Sequence, residues 1–548
     1  MPQHEKRKSK VQSTVASSRL PVKLLWLAAF AVCAYLILNW AIVWPRAIFF
    51  SRGGTRLFAI GFYFAMYAAG GVSLALLLAA LQRHVAALAL IATIITVCTN
   101  HAVARIFGVR PLDYGMAQWL FGEMPELWGA LQEFFVSISW ALGVSIASII
   151  PLAIVTALSR KPMRRALSSP ALFLVGVITF GTYLASAFLL DRFFDDGAPL
   201  DSNLYVYYLR QFIDEPPPRI AAVDLPVPSV PQIRKLILVV DESVNYAIYD
   251  SELRSAWADY LTADFGEAAS TGNCSAASNA MLRWGLRADA ILRGDDPRAA
   301  PTVWGYARAA GYTTVLIDGQ RHGAYQNFMR SEEAALISKT YAVSEGYDTD
   351  HAIAMVVHGL LESPQPMFIY INKRGAHFPY SNHYPAGAAA ANETRAEQYR
   401  AAVRYSSATF LPTMLAGLDL SRVLVVYTSD HGQNLAADTR HGESLHCSQK
   451  PRWQELSVPL AVATTARGFA AELQAAAQRN RDRDRHAQIF PTLLTAMGYD
   501  EPSVEKLYGE SLMAPNPPTQ YIYVGNRPIA LKGHSPAAVA FDRFPFRP

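Results

Sequence analysis

Five apolar stretches, near 21–44, 57–81, 84–106, 131–157 and 171–190, decide most of what this chain can fold into. Each holds roughly 20 residues or more, the length a helix needs to cross about 30 Å of hydrocarbon. Backbone polar groups find no water there, so each stretch must satisfy them internally, as a helix does. Across its 548 residues the chain is 51% hydrophobic and 17% charged, and the apolar excess lies before about residue 190. Asp, His and Pro become common after that point. The expected organisation is a five-span membrane domain at 1–190, a connector at 191–234 and an exported domain at 235–548. The first stretch is too long for a cleavable signal, and further spans follow it.

Basic residues set the orientation. Lys6, Arg7, Lys8, Lys10, Arg19 and Lys23 precede the first span, Arg83 lies between the second and third, and Arg160, Lys161, Arg164 and Arg165 lie between the fourth and fifth. The opposite side holds Arg46, Arg52, Arg56 and Arg110. Eleven against four places the N-terminus in the cytoplasm. An odd number of spans then puts everything after residue 190 outside. The net charge of +5 is thus read as membrane topology, and nucleic acid is not an expected partner.

The loop after the third span reads as a membrane-surface helix near 108–128, with Leu112, Met116, Trp119, Leu120 and Glu123 at helical spacing. Trp119 and Trp128 suit the headgroup level. Packing at the interface explains such a helix, and contact of its carboxylates Asp113, Glu123 and Glu126 with a lipid headgroup is the sharper reading. Between 191 and 234 the apolar periodicity ends, and Pro216, Pro217, Pro218, Pro226, Pro228 and Pro231 predict an extended connector.

From Lys235 onward, short apolar runs end in polar residues: Lys235 to Glu242, Thr313 to Asp318, Met367 to Asn372, and Arg422 to His431. Ala-rich segments with helical spacing, at 301–311, 395–417 and 468–480, separate them. Strands alternating with helices predict an open, largely parallel α/β sheet, whose ligands sit beyond the strands' carboxyl ends. Glu242 closes one such strand and Asp430-His431 another. Two carboxylates and an imidazole make an oxygen and nitrogen set suited to zinc or manganese, with a position left for a nucleophile or substrate. A lone carboxylate after a strand is more often a surface or capping group; Ser-Asp-His-Gly at a strand end is less generic.

Ser275 lies where a small-residue turn runs into a helix, so its oxygen would meet the helix N-terminus, a setting that favours anions. A plain N-cap serine is the ordinary alternative. Of four cysteines, Cys33 and Cys98 lie in apolar runs, while Cys274 and Cys447 allow at most one bridge in the exported part.

These residues resemble the phosphoethanolamine transferases of Gram-negative envelopes, in the alkaline phosphatase/sulfatase-like superfamily. The resemblance rests on Val239 to Ser243, the segment around Ser275, Gly375-Ala376-His377 with Tyr384-Pro385, and Ser429 to Gly432. Weaker matches are Gly311 to Gln320, Val458-Pro459, and His486 before Phe490 to Leu494. It implies an N-terminal five-helix transmembrane domain and a C-terminal α/β alkaline phosphatase/sulfatase-like domain. By the same resemblance Glu242, Asp430 and His431 would bind one zinc, Ser275 would be the nucleophile, and His377 would contact the phosphoryl group or a second zinc. His441 and His446 both stand where the family has a further histidine, with a slight preference for His446. The sulfatase cysteine motif, which needs Pro and Arg two and four places on, is not met by Ala276 and Ser278.

The departures are Asp241 where the family has Gly, Gln433 where it has Glu, and fewer cysteines. If Ser275 and His446 share a site, Cys274 and Cys447 approach one another and a bridge is implied. The implied reaction moves phosphoethanolamine from phosphatidylethanolamine to a hydroxyl of an envelope glycan or lipopolysaccharide, in the bacterial inner membrane with catalysis in the periplasm. Alternatives are phosphoglycerol transfer, phosphodiester hydrolysis, or a polytopic transport or signalling protein, for which only Asn100, His101 and Arg105 speak.

Overall fold

A computed structural model describes residues 22–51, 56–107, 112, 117, 120–121, 127–166, 169–194, 199–213, 220–228, 233–285, 299–320, 327–343, 345–388, 393–437, 445–448, 451–515, 520–523 and 538–541. The chain divides into two compact units, one holding most residues before 214, the other holding 119–134, 215–439 and 443–548.

In the first unit, helices occupy each expected span: 22–38 continuing into Trp40–Ser51, Arg56–Ala80, Arg83–Phe107, Phe135–Ala166 and Ser169–Phe194. Two of them, Arg83–Phe107 and Phe135–Pro162, are long and apolar enough to cross a membrane. The comparable apolar stretches of the others, Val22–Leu38, Phe64–Ala80 and Phe173–Ala185, are shorter. The helices pack through small residues: a Cβ at Gly71 would lie 2.7 Å from Tyr35, and one at Gly70 2.6 Å from Tyr183.

The connector is not extended throughout. Asn203–Ile213 is a helix, because the prolines begin only at Pro216. Ahead of it, the buried Asp201 carboxylate accepts from Tyr35 at 2.8 Å and from Asn39 at 3.3 Å, and Asn203 and Asn100 exchange amide hydrogen bonds. These buried polar pairs seat the start of the connector against the helices.

The second unit is built on a sheet of seven strands: β1 (Lys235–Asp241), β2 (Ala263–Ala269), β3 (Thr313–Asp318), β4 (Lys339–Ala342), β5 (Met367–Asn372), β6 (Val423–Ser429) and β7 (Ser457–Ala463). Their order is β2-β7-β6-β1-β5-β3-β4. The expectation of a largely parallel sheet needs one correction: β7 runs antiparallel to both β6 and β2, so the sheet is mixed. β1 is central and buried along its whole length, which is why it reads as a continuous apolar run. Leu236, Leu238 and Val240 face one core with helices such as Val303–Ala309 and Ile489–Met497. Ile237 and Val239 face another with Thr349–Glu362 and Arg395–Ser407. The period of two along one strand thereby makes three layers.

Of the expected surface helix near 108–128, Asp113, Glu123 and Glu126 lie outside the described residues. The helix seen there is Leu127–Glu133, and it packs within the second unit. Glu133 pairs with Arg395 at 3.0 Å, and Phe134 meets the Phe378 ring edge-on at 5.4 Å. A Cβ at Gly129 would lie 2.9 Å from Pro379, so this helix closes on the segment that carries His377.

Candidate metal centre

The register of two strands brings the acids together. β1 and β6 are parallel neighbours with Asp241 opposite Ser429, so the next residues, Glu242 and Asp430, leave the sheet side by side. Ligand atoms of Glu242, Asp430 and His431 all lie within 4.8 Å of one another, and all three residues are buried. His431 Nε2 is 3.6 Å from Glu242 Oε1 and 3.5 Å from Asp430 Oδ2. Its other nitrogen faces the Gly432 carbonyl at 2.8 Å, which sets the tautomer and turns Nε2 toward the carboxylates.

Burial pushes both carboxyls up, and the proximity of Glu242 adds to this for Asp430, which reaches about 7. Among the described residues, Asp430 Oδ2 is buried with no hydrogen-bond partner. Two acids facing each other around an unmatched oxygen lack a positive charge, so these residues fit a divalent metal. The oxygen and nitrogen donors suit zinc.

Glu242 is held from several sides. Ser243 donates to Oε1 at 2.7 Å and Gln320 to Oε2 at 2.9 Å. Ser243 N donates to Asp430 Oδ1 at 3.0 Å, and Ser243 itself takes a positive φ of 63°. Gly375 fits only as glycine: its φ is +55°, and a Cβ there would lie 2.6 Å from the Glu242 Cβ.

Ser275 opens the helix Ser275–Arg283, and its Oγ lies 3.1 Å from His431 Nε2 and 3.4 Å from Glu242 Oε2. The Ser278 hydroxyl, one turn on, donates to the Asp430 carbonyl and ties this helix to the end of β6. His486 lies below, with Nε2 2.9 Å from Thr428 Oγ1, and burial lowers it to about 3. Its Nδ1 accepts from Thr271 N at 3.4 Å, so it supports the turn before Ser275 from behind.

His446 reaches the same place by another route. Cys274 and Cys447 form a disulfide, so the residue before Ser275 is bonded to the residue after His446. The His446 ring lies 4.3 Å from that of His431. Gln433 donates to the Tyr380 hydroxyl at 2.7 Å, so its Oε1 faces His446 Nδ1 at 2.8 Å and that nitrogen carries the proton. His377 stands further off, its ring 6.1 Å from His446 and its Nδ1 2.7 Å from the Phe378 carbonyl. His441 lies outside the described residues.

Two residues next to the centre, Asp241 and Lys373, were not among the expected site residues. The Asp241 carboxylate receives Lys373 Nζ at 2.6 Å and the hydroxyls of Ser407 and Tyr427 at 2.9 Å each, and Glu242 N at 3.0 Å. Lys373 also lies 3.9 Å from Asp350, whose oxygens accept from Arg374 N and Gly375 N. A buried cation between two carboxylates thus anchors both segments that shape Glu242. The only sequence signal was the acid before Glu242 and a lysine directly after β5.

Residues 263–499 match the sulfatase family. Among solved structures, the chain is similar to the integral membrane lipooligosaccharide phosphoethanolamine transferase A (EptA) of Neisseria meningitidis. The two share 14% identity, with a TM-score of 0.54 over 90% of this chain and 98% of that one. The periplasmic domain of EptC from Escherichia coli, solved in complex with zinc, shows 17% identity and a TM-score of 0.47 over 61% of this chain and 98% of that one. That of Campylobacter jejuni EptC shows 17% identity and a TM-score of 0.41 over 52% and 94%. No curated protein matches. At these identities the Neisseria likeness speaks for the fold alone.

Proposed function

From the sulfatase-family domain that residues 263–499 form, we propose that this chain transfers phosphoethanolamine from phosphatidylethanolamine to a hydroxyl of an envelope glycan or lipopolysaccharide. The observation that carries this reading is Ser275 Oγ at a helix N-terminus, 3.1 Å from His431 Nε2 and beside Glu242. Glu242, Asp430 and His431 would hold one zinc, with Ser275 Oγ as the fourth donor; His377 and His446 stand beside it for the phosphoryl group or a second ion. The metal would lower the pKa of the serine oxygen and offset charge on phosphorus-bound oxygens.

Ser275 Oγ attacks phosphorus in line, the bond from phosphorus to the diacylglycerol oxygen breaks, and that oxygen leaves with a proton as diacylglycerol. The helix N-terminus points its N–H groups at the phosphoryl oxygens throughout. An acceptor hydroxyl then attacks phosphorus from the side the diacylglycerol left, and the bond to Ser275 Oγ breaks. With the proton of His446 on Nδ1, its Nε2 is the nitrogen able to take the acceptor's proton.

The five helices of the first unit act as spans, with the N-terminus in the cytoplasm of a bacterial inner membrane and residues after 190 in the periplasm. Two spans of sufficient length and a full-length fold shared with an integral membrane protein support this. The donor lipid then never leaves the bilayer. Intact-mass analysis of the protein purified from cells tests the reaction. A phosphoethanolamine adduct that disappears in Ser275→Ala is the expected result. A phosphoglycerol adduct would point to another headgroup, and absence of any adduct under trapping conditions would remove the covalent route.

A further inference from the structure

His101 and Arg105 sit one turn apart on the helix Arg83–Phe107, on one face of it. His101 is only 5% exposed, and among the described residues its Nε2 has no hydrogen-bond partner; nor does the buried Nε of Arg105. Trp40 stacks on His101 with centroids 6.3 Å apart, and Trp140 meets the same ring edge-on at 6.4 Å. The Arg105 guanidinium carbon lies over the Trp140 ring, 4.4 Å from its centre. A cation over a ring face needs no hydrogen bond, so this contact leaves the Nε–H donor unpaired.

An unmet guanidinium donor in a low-dielectric layer is costly, so the cluster is incomplete as it stands. An anion with several acceptor oxygens would meet Arg105 and, with a proton on Nε2, His101 together. Trp40 and Trp140 are each about half exposed, at 50% and 43%, so the cluster opens sideways to the surroundings of the helices. On the topology proposed above, all four residues lie at the outer ends of their spans, the level of outer-leaflet phosphates and of aromatic belts. We propose that His101 and Arg105, flanked by Trp40 and Trp140, bind the phosphodiester of an outer-leaflet glycerophospholipid through residues of the first unit alone. This rests on the membrane reading of the first unit, but on neither Ser275 nor the metal.

The test uses full-length protein carrying Ser275→Ala, so that turnover cannot remove lipid, in detergent. Native mass spectrometry would follow titration with dioleoyl phosphatidylethanolamine, dioleoyl phosphatidylglycerol or inorganic phosphate. One retained phospholipid is expected, with affinity reduced at least about tenfold by Arg105→Gln, the loss of a charge-assisted hydrogen bond. His101→Gln, a milder change, should weaken retention several-fold should Arg105→Gln fail to fold. Retention equal to the parent in both variants overturns the site. Displacement of the phospholipid by inorganic phosphate overturns the lipid as its occupant in favour of free phosphate. A missing Ser275 adduct would sink the transfer reading and leave this result unchanged.

Discussion

The disulfide between Cys274 and Cys447 joins the residue before Ser275 to the residue after His446, across a sequence separation of 173. Two loops far apart along the chain are thereby held over one centre. The Cys447 N–H also donates to the Asn273 carbonyl at 2.7 Å, so backbone and covalent links act together.

Cys447→Ser should therefore affect both stability and rate. Closing a loop of this length is worth roughly 5 kcal/mol in the chain-entropy account, less whatever the unfolded state retains. Misplacing His446 by about 1 Å should cost up to about a hundredfold in kcat. Thermal unfolding and single-turnover rates check this. Unchanged kcat in a folded variant would mean that the bridge braces the fold without positioning the site.

Gly375→Ala should be severe for a residue that touches no substrate. The positive φ costs about 1–3 kcal/mol, and the new methyl must displace Glu242, whose Cβ lies 2.6 Å away. Metal content measured after purification should fall along with activity. Full metal loading would show that Glu242 had not moved.

Gln433→Ala removes the acceptor of the His446 Nδ1 proton and strands a buried imidazole donor. A loss of about 1–3 kcal/mol in transition-state stabilisation, roughly tenfold or more in kcat, is expected with little change in KM. A change confined to KM would assign Gln433 to substrate binding instead.

Asp484 supplies a pH test away from the centre. Burial pushes its carboxyl up from the usual 3.8 to about 7. Between those values the folded state keeps a proton that the unfolded state has released, so stability falls as pH rises from about 4 to 7. Asp484→Asn should remove that slope and raise stability near pH 8 by roughly 1–3 kcal/mol. Thermal unfolding at pH 5 and pH 8 measures it; an unchanged slope would locate the proton elsewhere.

The sequence by itself determined the division into a helical apolar part and an α/β part, because hydrophobic length and period are local properties. It also singled out Asp430-His431, whose strand and turn lie within ten residues of one another. In the connector it missed the helix Asn203–Ile213, because the prolines at 216–218 argued for extended backbone throughout. Its expectation of a largely parallel sheet missed the antiparallel β7, because an apolar run carries no sign of which way its neighbours point.

Tertiary structure alone decided which strand lies beside β1. Glu242 meets Asp430 only through the parallel register of β1 with β6, a pairing across 188 positions that no local pattern encodes. The same holds for His446, brought beside His431 by a disulfide, and for Lys373, whose charge is satisfied by Asp241 from another strand. A metal centre needs atoms from several segments within a few ångströms. The identities of those atoms are written locally, and their distances are fixed by the order of the sheet.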